Sequence, residues 1–84
     1  MITERQCGEA LLKLLKRKRS KQATMRECIA ALPRLIKLSR EDLQQSTSRP
    51  SEQRYVSAIR NLRSHGTCQR HGLQALPDGG FGLL

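Results

Sequence analysis

Apolar residues recur at helical spacing from the first turns of the chain. Cys7, Ala10, Leu11, Leu14 and Leu15 lie three and four apart, which predicts a helix over about 4–17. Thr3 followed by Gln6 has the spacing of a capping box, and Ile2 before the cap can staple onto Cys7. Lys16-Arg17-Lys18-Arg19 closes the segment, where cations favour the negative end of the helix dipole. After a link from Ser20 to Ala23, Thr24 with Glu27 repeats the capping-box spacing. Met25, Cys28, Ile29 and Leu32 then share one face of a second helix. Pro33 is expected to disturb that helix, because it has no backbone N–H and disfavours α conformation in the residue before it. Leu35-Ile36-Lys37-Leu38 is an apolar knot too short to assign alone. Ser39, with Glu41 and Asp42 in the next turn, predicts a short third helix over about 40–45.

The polar stretch Ser46-Thr47-Ser48-Arg49-Pro50 is the clearest break in the chain. Ser48 as cap and Pro50 in the first turn predict a long helix over about 50–64. At about 100° per residue, Tyr55, Val56, Ile59 and Leu62 fall on one side of it. Gln53, Ser57, Arg60, Asn61 and Ser64 fall on the other, with Arg54 at the margin and Gly66 as terminator. The tail changes period. Leu73-Gln74-Ala75-Leu76, the turn Pro77-Asp78-Gly79-Gly80, and Phe81-Gly82-Leu83-Leu84 read as strand, turn, strand over about 73–84. The expected core is Leu11, Leu14, Leu15, Ile29, Leu32, Val56, Ile59, Leu62, Leu73 and Phe81. The expected fold is a single domain over 1–84, mainly α with a small β-hairpin.

Charge gives this pattern a partner. Sixteen Lys and Arg oppose seven Asp and Glu, a formal net charge of +9 on 84 residues. Such an excess favours a polyanion, with nucleic acid ahead of an acidic membrane surface. The amphipathic first helix lacks the Trp and Phe of an interfacial anchor, and no run approaches the roughly 18 apolar residues of a membrane span. No membrane partner is therefore expected. Cys7, Cys28 and Cys68 are odd in number and widely spaced, a poor disulfide framework that suits a reducing cytoplasm. A charged stretch followed by an apolar run, as in a secretory signal, is not found at the N-terminus. The charge is uneven. Residues 1–42 carry +6, with five cations among the six residues Lys16 to Lys21, and residues 43–84 carry +3.

Helices, then a polar-faced helix, then a hairpin is the order of a winged helix-turn-helix domain. The stretch Tyr55-Val56-Ser57-Ala58-Ile59-Arg60-Asn61-Leu62-Arg63-Ser64-His65, followed by Gly72-Leu73 and Asp78-Gly79-Gly80-Phe81-Gly82-Leu83, carries a more particular likeness. It is similar to the winged-helix modules at the ends of Mrr-like and other prokaryotic restriction-associated proteins. In those, an aromatic-then-aliphatic recognition helix precedes a Gly-Leu strand and a wing closing on Gly-aromatic-x-Leu. The likeness covers the C-terminal half, and the first half fits by element order alone. It implies a DNA-binding module without the family's nuclease activity, and it leaves the target sequence open.

The residue chemistry points the same way. An α-helix fits the major groove, and Arg, Asn, Gln and Ser are the side chains that read guanine, adenine or phosphate. The expected groove-facing set is Arg49, Gln53, Arg54, Ser57, Arg60, Asn61 and Ser64. Lys16, Arg17, Lys18, Arg19, Lys21 and Arg70 are the expected phosphate contacts, and Ser46 to Ser48 precede a helix N-terminus suited to a phosphate. The expected function is sequence-specific or semi-specific binding of double-stranded DNA by a small prokaryotic or mobile-element regulator. The alternative is a protein–protein adaptor or homodimerisation module, with Leu35, Ile36, Leu38 or Leu43 as an exposed apolar patch. His65, Cys68 and His71 can begin a zinc site, but paired Cys-x2-Cys or His-x3-His units are lacking, so no metal or other cofactor is expected. No sequence feature organises a nucleophile with an oxyanion site or a phosphate-cradling glycine loop, so no catalytic activity is expected.

Overall fold

The computed structural model describes residues 1–84. Helix α1 spans Glu4–Arg17, and its capping box closes in both directions. Thr3 Oγ1 accepts from the Gln6 amide at 3.1 Å, and the Gln6 side chain accepts from the Thr3 amide at 3.0 Å. Strand β1, Gln22–Ala23, follows. Helix α2 spans Met25–Leu35 behind the Thr24–Glu27 capping box, and α3 covers Arg40–Leu43 behind Ser39 and Asp42. Helix α4 covers Tyr55–Ser64, a 3-10 turn covers Cys68–His71, and strands β2 (Leu73–Ala75) and β3 (Phe81–Leu83) end the chain.

Four expectations about the elements are corrected. The first concerns Pro33, which lies inside α2 without ending it. A residue at 33 would normally donate to the carbonyl of residue 29, so proline leaves that acceptor empty. The Tyr55 hydroxyl fills it, donating to the Ile29 carbonyl at 2.9 Å. A long-range bond from α4 thus replaces a local one, and α2 continues. The second concerns the helix expected over 50–64, which starts at Tyr55; Arg54 precedes it with no side-chain cap. Residues 46–54 instead fold back on α3. Gln45 pairs with Gln53, the Ser46 amide donates to the Glu52 carbonyl at 2.8 Å, and the Arg54 amide donates to the Gln44 carbonyl at 2.8 Å. These bonds outcompete a helical turn there. The third concerns the helix expected over 40–45, which stops at Leu43 because Gln44 turns extended to enter this pairing.

The fourth correction concerns the sheet. The hairpin is not alone, because β1 joins it to give a three-stranded antiparallel sheet in the order β1-β3-β2. Ala23 and Ala75 both stand opposite Phe81, and Leu73 stands opposite Leu83. The chain is a compact mixed α/β domain, and its radius of gyration of 11.8 Å matches the ~12 Å of one folded body of this length. Leu11 and Leu15 of α1, Leu32 of α2, Val56, Ile59 and Leu62 of α4, and Leu73 and Phe81 of the sheet are all buried in one cluster. Burying each such side chain contributes about 1.5–3 kcal/mol. Leu14 and Ile29, expected in the core, are only partly buried at its edge, while Cys7, Cys28, Tyr55 and Cys68 fill positions not expected there.

Candidate nucleic-acid interface

The apolar stripe of α4 is spent on the core, so its opposite side must face outward. Ser57, Arg60, Asn61, Arg63 and Ser64 line one side of a concavity of about 570 Å³. Ser48 and Arg49 close a second side, and Met25, Ala75 and Gly79 supply the helix and hairpin walls. The folded-back 46–54 segment explains the second side. Ser46 is buried, and its hydroxyl accepts from the Arg49 amide at 3.2 Å, which fixes Ser48 and Arg49 beside α4. The hairpin wall is fixed by Arg63, whose Nη1 donates to the Gly80 carbonyl at 2.8 Å.

Of the expected groove-facing residues, the structure brings together Arg49, Ser57, Arg60, Asn61 and Ser64. Gln53 and Arg54 stand before α4 and are not among the lining residues. The Gln53 side-chain Nε2 donates to the Leu43 carbonyl at 2.9 Å, so it braces the loop. Arg63 and Ser48 line the concavity and were not expected there. Arg63 was legible in principle, since it lies three residues beyond Arg60 on a neighbouring stripe of the same helix. The helix-N-terminal phosphate seat expected behind Ser46 to Ser48 does not form, because Ser46 is buried and α4 begins well after Ser48.

The remaining expected cations lie outside this concavity. Lys16, Arg17, Arg19 and Lys21 are exposed at the end of α1, and Lys18 instead pairs with Glu27 of α2. The Lys21 ammonium donates to the Lys16 carbonyl at 2.7 Å, and Lys21 takes a positive φ of 57° as the chain turns into β1. Arg70 is exposed on the 3-10 turn, which packs against α1 and β2.

One carboxylate governs the electrostatics of the concavity. Glu52 accepts from both Nε and Nη2 of Arg60, with Nε at 3.0 Å, and its Oε1 lies 4.0 Å from Arg49 Nε. The Arg60 guanidinium holds the Glu52 carboxyl below the usual carboxylate range, and Glu52 in turn raises Arg60, so both stay charged.

The His65, Cys68 and His71 cluster is dispersed. His65 lies 3.1 Å from Glu4, Cys68 is buried in the core, and the His71 ring packs over Gly8 of α1. The Thr67 hydroxyl also donates to Glu4 at 2.9 Å and, as the leading influence, lowers its pKa. All three cysteines are free and buried. Burial pushes the Cys7 thiol up to about 12 and the Cys28 thiol to about 11. Leu35, Ile36 and Leu38 pack against the core, which leaves only Leu43 of the expected apolar patch exposed. No helix is long and apolar enough to cross a membrane. No protein-family model matches the chain, and neither does any curated protein or solved structure.

Proposed function

We propose that the chain is a winged-helix module that binds double-stranded DNA, with α4 in the major groove and the β2–β3 hairpin as its wing. The concavity carries this reading. Three arginines, one asparagine and three serines converge there, beside a single acidic residue and only two apolar ones. This is the donor-rich composition that phosphates and base edges call for, and its setting on a chain of net charge +9 adds long-range attraction. The element order supports the fold part of the proposal. The strand between α1 and α2 pairs with β3, and Arg63 ties the hairpin to α4, so helix and wing are held in one fixed relation. The exposed cations at the end of α1 supply a second, sequence-independent attraction to phosphate.

Titration of a labelled duplex at several salt concentrations tests the proposal. Log affinity should fall linearly with log salt, with a slope of about −0.9 for each phosphate contact. The double variant Arg49→Ala/Asn61→Ala should bind about 10-fold or more weakly, since removing a side chain that bonds to DNA costs roughly 1–3 kcal/mol. Its unfolding midpoint should stay close to that of the native chain, because neither side chain is buried. An unchanged affinity in that variant, or no duplex binding at low salt, overturns the proposal.

A further inference from the structure

Arg60 is held by a partner that takes only part of its hydrogen-bonding capacity. A guanidinium has five N–H groups in one plane. The Glu52 carboxylate occupies the edge formed by Nε and Nη2. The end formed by Nη1 and the second hydrogen of Nη2 is left as a parallel pair of donors. Glu52 keeps about a fifth of its side-chain surface exposed and Arg60 about a third, and Arg60 lines the concavity next to Asn61. The pair also bridges two segments, since Glu52 belongs to the folded-back loop and Arg60 to α4.

Resting on the duplex-binding reading, we infer that Glu52 is a positioning residue that turns Arg60 into a guanine reader. Pairing with Glu52 cancels most of the charge that would draw Arg60 to a phosphate. What remains is a rigid fork matched to the two neutral acceptors of a guanine edge, O6 and N7. The carboxylate also fixes the long arginine side chain before binding, which removes ordering entropy from the encounter. Arg49, more exposed and 4.0 Å from the same carboxylate, keeps its charge for the backbone. The surface thus divides its arginines, one for register on the backbone and one for sequence.

Selection of bound duplexes from a pool randomised in sequence, using the full chain, tests this. The native chain should enrich a guanine at one position, with at least about 5-fold preference over the other bases there. Replacing that guanine with 7-deazaguanine removes N7 and should abolish the preference. Glu52→Gln presents an amide N–H where the carboxylate accepted, so the fork loses its brace and the preference should shrink several-fold while duplex binding persists. Arg60→Lys, which lacks the planar fork, should lose the preference altogether and makes the test independent of how well Glu52→Gln folds. Duplex binding without guanine enrichment overturns the inference, as does enrichment indifferent to 7-deazaguanine. A Glu52→Gln variant that binds all duplexes more tightly with its preference intact also overturns it, because Glu52 would then only compete for Arg60. No duplex binding by the native chain removes the reading beneath it as well.

Discussion

The bond between the Tyr55 hydroxyl and the Ile29 carbonyl makes a quantitative claim about Pro33. Tyr55→Phe removes the 2.9 Å bond and leaves that carbonyl without its partner, while the ring itself, 4% exposed, keeps its packing. The bond contributes about 0.5–1.5 kcal/mol, and an orphaned, partly buried acceptor costs about 1–3 kcal/mol, so a loss of about 2 kcal/mol is expected. In a domain of this size that lowers Tm by roughly 8–16 °C. The sharper test places the same change in a Pro33→Ala background. Alanine at 33 supplies the amide that proline lacks, one helical turn from Ile29, so the carbonyl has a partner whether or not the phenol is present. Tyr55→Phe should then cost about 0.5 kcal/mol, an interaction energy of roughly 1.5 kcal/mol between two residues 22 apart in sequence. Urea unfolding followed by far-ultraviolet circular dichroism for the four proteins of the cycle gives the number. If the two costs of Tyr55→Phe agree within about 0.5 kcal/mol, the sites are additive and proline is not why the tyrosine is there.

Three further outcomes rest on individual side chains and glycines. Asp42 is 2% exposed; burial opposes its charge, but the Ile2 amide at 2.9 Å and the Ser39 amide and hydroxyl, each at 2.9 Å, prevail and lower its pKa. Its contribution is therefore present above the unfolded carboxyl value near 4 and is lost as pH falls through the lower folded value. Asp42→Asn should be less stable at pH 7 by about 2 kcal/mol and should flatten the urea-midpoint profile below about pH 4, and an unaltered acid slope would show that other carboxyls carry it. A Cβ at Gly80 would stand 2.2 Å from the Ala23 carbonyl oxygen, whereas one at Gly79 meets nothing within 4 Å. Gly80→Ala should push β1 off the sheet and cost about 2–4 kcal/mol. Gly79→Ala, strained only by its φ of 101°, should cost about 1 kcal/mol, and thermal melts ranking the two in reverse would contradict the close approach. With thiols raised to about 12 and 11, Cys7 and Cys28 should resist iodoacetamide at pH 8 in the native chain and react in urea. Site-resolved mass spectrometry reads this, and rapid native labelling of either would contradict their burial.

Local signals served well wherever a helix is started by its own side chains. The capping boxes at Thr3 and Thr24 form with both of their bonds, and the Ser39 start closes with Asp42. The turn around Pro77-Asp78-Gly79-Gly80 is closed by a bond of its own, Asp78 accepting from the Gly80 amide at 2.9 Å. The candidate site was legible to the same depth, because period alone places Ser57, Arg60, Asn61 and Ser64 together on the outer side of α4. Arg49 was expected in the same groove-facing set, just ahead of that helix, and it reaches the concavity by another route, carried there by the loop pairing at Gln45 and Gln53.

Residues that act on neighbours three or four positions away were thus fixed by the chain itself: the starts of α1, α2 and α3, the turn, the apolar stripes and the sign of the polar face. Decisions between distant residues waited for the tertiary structure. The acceptor that Pro33 leaves empty is filled by Tyr55 from α4, and the two residues of β1 are a strand only because β3 passes beside them. Arg60 has its orientation from Glu52, eight residues earlier, across a loop that no helical or strand period describes. The physical reason is common to all three: a hydrogen bond between distant residues leaves no periodic trace in the sequence, yet an unpaired buried donor or acceptor costs enough to decide the conformation.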